Sequence, residues 1–182
     1  MLEIDGIFKK KFIPPLIMVA VTLNSNNIIT NLDVKFLDFI LRPIIFILGY
    51  YKGIDFIYYD NIGYVNEYYN ILIAKECGGV KFLLMGITLV VFIMSRQSLT
   101  LNESLGFLPI GVLLTYSMTV VANSFRIIML ITIGTKIQGI IHWEALIHQS
   151  IGIITYLSCF ICLYIVCNIL IGSRRYNYEK IS

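Results

Sequence analysis

"SIGIITYLSCFICLYIVCNILIG", residues 150–172, runs 23 positions without a charged side chain, and Arg174 and Arg175 follow it. As one helix it measures about 34 Å, enough to cross the roughly 30 Å hydrocarbon core of a bilayer. That reading decides between a membrane fold and a soluble one, and the rest of the chain agrees with it. Of 182 residues, 58% are hydrophobic and 14% charged, with a mean hydropathy of +0.81. A soluble domain of this size needs far more polar surface. The expectation is one all-α integral membrane domain over residues 1–182, a helical bundle of about four to six transmembrane segments. The net charge is +3, and no basic patch interleaved with aromatics occurs, which argues against nucleic acid. The start lacks a small-residue cleavage site, so no cleavable signal peptide is expected.

Working outward from 150–172, the next apolar run is Phe107 to Gly134, with Asn123 and Arg126 inside its second half. Before it, residues 80–94 lead to Ser95-Arg96, and residues 12–29 follow Lys9, Lys10 and Lys11. These four runs, 12–29, 80–94, 107–134 and 150–172, are the expected spans. Residues 31–51 place Asn31, Lys35, Asp38 and Arg42 on one helical face. This pattern suits an amphipathic helix in the membrane interface at least as far as Pro43, or a kinked transmembrane helix. Residues 54–76, rich in tyrosine and β-branched residues, read as a short external β-hairpin or loop. With Lys9–Lys11, Arg96, Arg174, Arg175 and Lys180 on the cytoplasmic side, four crossings leave both termini inside. Cys77 and residues 135–149 then face outward.

Three polar or reactive groups stand out against the apolar background. Cys77 sits at the expected outer start of a helix, where N-terminal amides favour a thiolate. Gly78 and Gly79 beside it leave room for another chain's backbone; a structural cysteine is the plainer alternative. Arg126 lies in an apolar helix, where a guanidinium needs a cavity or a partner, and Asn123 shares its face one turn away. A snorkelling arginine or an ion pair with Glu76 or Glu144 is the alternative. His148 precedes the last span and titrates near neutral pH. His142, six residues upstream, falls on another helical face, and an interfacial polar role is the plain reading of either. A thiol, an imidazole and a guanidinium on one side of a membrane are the parts of acyl transfer. Cys159, Cys162 and Cys167 lie within the last span and read as small lipid-facing hydrophobes. Neither a metal-ligand cluster nor a phosphate-binding glycine loop competes, and no cofactor is expected.

At these positions the sequence resembles the exosortase/archaeosortase family of membrane transpeptidases. Cys77-Gly78-Gly79 matches its Cys-small-Gly, Asn123-Ser124-Phe125-Arg126 its Asn-x-x-Arg, and His148 to Gly152 its His-x-x-x-Gly. "LRPIIFILGYYKGIDF" and "GYVNEYYNILIAKECGG" are similar to the short members called exosortase K. The resemblance covers roughly residues 40–170. It implies a cysteine peptidase that cuts the C-terminal sorting signal of exported proteins through a thioester and passes the new end to an acceptor. Cys77 would be the nucleophile, Arg126 the charge stabiliser and His148 the general base, with Asn123, Gly78, Gly79 and Gly152 in support. Substrates would carry a short motif, a transmembrane helix and a basic tail, and membrane lipid would surround the enzyme. Gly78 departs from the Ser or Ala common after the cysteine. The rival reading is a non-enzymatic membrane protein, a transporter subunit or assembly scaffold, in which Arg126 binds an anion or lipid headgroup.

Overall fold

The computed structural model describes residues 16–17, 19–22, 24, 34–60, 62–68, 71–97, 101–134 and 141–179. A 3₁₀ turn (Val34–Leu37) leads into α1 (Asp38–Lys52). Three strands follow, β1 (Ile57–Tyr59), β2 (Gly63–Asn66) and β3 (Ile71–Ile73), then a second 3₁₀ turn (Lys75–Gly78). Three long helices complete the chain: α2 (Val80–Arg96), α3 (Leu101–Gly134) and α4 (Ile141–Glu179). Two of them contain stretches long and apolar enough to cross a membrane, Leu105–Ile133 in α3 and Gln149–Ser173 in α4. These coincide with the expected spans at 107–134 and 150–172. At 17 residues, α2 covers the expected span 80–94 and measures about 26 Å, at the lower limit for a crossing. The expected span 12–29 lies largely outside the described residues.

The described chain packs as two units. In one, α2, the first half of α3 and the second half of α4 enclose Val90, Ile93, Phe107, Leu163, Cys167 and Ile171. Small residues set the helix spacing, since Gly86 lies against Thr115 and Gly111 against Val90. Close backbone approach over small side chains is how apolar helices gain dispersion contacts when lipid supplies no hydrophobic drive. The Phe82 and Phe160 rings stand 4.5 Å apart, and Gln97 Nε2 donates to Asn168 Oδ1 at 3.2 Å.

The other unit holds α1, the sheet, the Cys77 segment and the remaining halves of α3 and α4. Leu37, Ile40, Leu41, Ile44 and Leu48 are buried; their spacing of three and four makes one helical stripe. Phe36, Phe39, Phe46 and Tyr50 are exposed. Pro43 does not end this helix, which runs on to Lys52. The polar face expected along 31–51 is turned partly to protein. Tyr64 Oη donates to Asp38 Oδ1 at 2.6 Å, and Arg42 pairs with the same carboxylate. The region read as a hairpin forms a three-stranded antiparallel sheet in the order β1-β2-β3. Tyr58 faces Tyr64, and Tyr64 faces Ile73. The third strand escapes the sequence pattern because Ile71-Leu72-Ile73 is only three residues long, too short to show a period of two. Its end sets Cys77 four residues beyond Ile73.

Candidate active site

Cys77 lies in the 3₁₀ turn between β3 and α2, partly buried and not in a disulfide. Its backbone N–H donates to the Ala74 carbonyl at 2.9 Å. The expectation of a thiol at a helix start needs correcting, because α2 begins only at Val80. Cys77 therefore stands outside the first turn of α2, over which the helix dipole acts.

The role expected of the two glycines also changes. Gly78 and Gly79 are both buried, and the room beside them belongs to this chain. A Cβ on Gly78 would sit 3.5 Å from Leu41 Cδ2 of α1. A Cβ on Gly79 would land on the Asn123 amide, and Gly79 holds a left-handed backbone at φ 68°. Only glycine meets both demands without strain. The Cys77 segment is therefore seated between α1 and α3, with its third motif residue flat against Asn123.

Asn123 carries that contact onward. It is 1% exposed, and its Nδ2 donates to the Thr119 carbonyl at 2.8 Å. Its Oδ1 accepts from Tyr156 Oη at 2.7 Å, and Tyr156 Oη accepts from Arg126 Nη1, also at 2.7 Å. The guanidinium carbon stands 5.7 Å from the Tyr156 ring centroid, within reach of a cation–π contact. Gly152 is buried, and the site of its missing Cβ is 3.8 Å from Arg126 Cδ. Arg126 thus passes over Gly152 to reach Tyr156 on α4. An intramembrane guanidinium needs such partners to offset its desolvation.

Motif residues 77–79, 123, 126 and 152 are thereby linked, although they come from three separate parts of the chain. The side chain of His148 lies outside the described residues, as do those of His142, Glu76 and Glu144. The backbone of His148 is the eighth residue of α4, so it does not open that helix, though it immediately precedes the apolar stretch from Gln149. His148, Gly152 and Tyr156 follow at four-residue steps, which places them on one face. Because α4 is continuous from Ile141, His142 falls on a different face.

Tyr156 is the residue that motif reading missed. Two signals were available: it stands one turn beyond Gly152, and a tyrosine hydroxyl deep in an apolar span needs a hydrogen-bond partner. Comparison of the chain with protein-family models, with curated proteins and with solved structures found no match.

Proposed function

We propose that the protein is a membrane-embedded cysteine peptidase or transpeptidase of the exosortase kind. It cleaves the C-terminal sorting signal of exported proteins and transfers the new C-terminus to an acceptor. One observation carries the reading: the Cys77 segment is seated on Asn123, which Tyr156 ties to Arg126. The loop that carries Cys77 and the helix that carries Arg126, far apart in sequence, are joined through Asn123 and Tyr156, which supports the reading.

In this scheme His148 takes the Cys77 proton, and the thiolate sulfur attacks the scissile carbonyl carbon. The carbonyl π pair moves to oxygen, and Arg126 stabilises the resulting oxyanion. Collapse expels the amine, which receives the proton held by His148, and leaves a thioester on Cys77. An acceptor nucleophile, or water, then attacks the thioester and returns the thiol. Substrates would present a short motif ahead of a transmembrane helix and a basic tail, so the scissile bond lies just outside the bilayer. The site then faces the extracytoplasmic side of a multi-pass cell-membrane protein, with both termini cytoplasmic.

The test is a reporter ending in such a sorting region, produced together with the full-length protein. Cys77→Ala and Cys77→Ser should each abolish processing while the protein still accumulates in the membrane. The wild type should yield a hydroxylamine-sensitive adduct at Cys77. Normal processing by both variants sinks the proposal; loss confined to Arg126 variants would point to an anion- or headgroup-binding membrane subunit instead.

A further inference from the structure

We infer that Tyr156 is a positioning residue, which aims the Arg126 guanidinium and holds the Asn123 amide against the Cys77 segment; the inference rests on the acyl-transfer reading of this site. The hydrogen-bond polarity has a single solution. A guanidinium carries donors only, so the Tyr156 oxygen accepts from Arg126 Nη1. The one hydroxyl hydrogen is then committed to Asn123 Oδ1. That fixes which way the amide faces, and its NH₂ group donates to Thr119. The same NH₂ is the group that occupies the space beside Gly79. Donation therefore runs one way, from Arg126 through Tyr156 and Asn123 to a backbone carbonyl of α3. Tyr156 is the member contributed by α4, and it governs both ends: the direction of the arginine and the orientation of the amide under the Cys77 loop.

Removing only the hydroxyl is a clean perturbation. Tyr156→Phe keeps the ring beneath the guanidinium and the packing volume, but deletes both hydrogen bonds. Arg126 then keeps its charge and loses its hydrogen bond to the α4 hydroxyl. Misplacement of a catalytic group by about 1 Å can cost on the order of a hundredfold in rate.

The experiment uses full-length protein in lipid nanodiscs, labelled with ¹⁵N-arginine, with Arg126 assigned by the resonance lost in Arg126→Lys. In the wild type, Nη1 and Nη2 of Arg126 should give separate resonances, because a hydrogen bond to Tyr156 hinders rotation. In Tyr156→Phe they should merge, and a persistent splitting overturns the inference. This readout is independent of turnover. With the reporter substrate, Tyr156→Phe should lower kcat about ten- to hundredfold and leave KM within about twofold. The double variant Tyr156→Phe/Arg126→Lys should be no slower than Arg126→Lys alone, because Tyr156 acts through Arg126. Losses that multiply in the double variant, or an unchanged kcat in Tyr156→Phe, overturn the positioning role. Absence of any Cys77 adduct in the wild type would instead sink the acyl-transfer reading, and the arginine spectrum then decides the fate of Tyr156 by itself.

Discussion

Gly79 carries two constraints at once, a left-handed backbone and an Asn123 amide where a side chain would be. Gly79→Ala pays about 1–2 kcal/mol for the backbone alone, and the collision with a buried amide adds to it. The variant should unfold several degrees lower in a detergent melt and form no Cys77 adduct. Gly152 makes the useful contrast. Its missing Cβ lies at ordinary contact distance from Arg126 Cδ, so Gly152→Ala should leave stability unchanged or raise it by up to about 1 kcal/mol through helix propensity, read in the same melt. The sequence marks both glycines as partners of reactive residues, since the motifs are short and local. What it hides is their purpose. Clearance for a substrate and clearance for a folded-back asparagine look alike until the fold brings positions 79 and 123 together.

For α1 and the sheet, the informative contact is Tyr64 with Asp38. Burial, followed by the hydrogen bond to Asp38, pushes the Tyr64 hydroxyl above its ordinary value, which is near 10. Because the folded value is the higher one, the neutral phenol favours the folded state. That contribution is complete below the ordinary value and is lost as pH rises through the raised one. Tyr64→Phe should remove this share of the alkaline dependence and cost about 1.5–3 kcal/mol near neutral pH, as expected for a hydrogen bond to a carboxylate. Thermal melts of the two proteins between neutral and strongly alkaline pH check both claims; equal alkaline slopes refute the linkage. Helical periodicity at 31–51 makes α1 readable, and Asp38 and Arg42 pair across one turn of it. The role of Asp38 stays hidden because its partner is set by strand register 26 residues away, and a three-residue strand leaves almost no period-two signal.

Across the whole molecule, α3 and α4 are legible from hydropathy alone, because apolar runs of that length with at most one charge have few other uses. Side is the harder question, and one labelling experiment addresses it. With Cys159, Cys162 and Cys167 replaced by alanine, a membrane-impermeant maleimide should modify Cys77 in right-side-out vesicles. Modification only in inverted vesicles would reverse the proposed orientation. The side-chain bonds of the long helices carry a further implication. Thr88, Ser95, Thr115, Ser117, Thr132 and Asn168 each donate to the carbonyl one turn earlier in their own helix. Such bonds commit a donor hydrogen within its own helix, and two of these residues also reach another segment: Asn168 accepts from Gln97, and Thr88 meets Thr22. Where α4 meets α3 at Tyr156, both Arg126 and Asn123 engage the same hydroxyl. Sliding α4 by one turn, or rotating it by one residue, would strip both bonds together, whereas a small tilt about that oxygen strips neither. Tyr156 is thus the pivot pin of this helix pair at the level of Arg126.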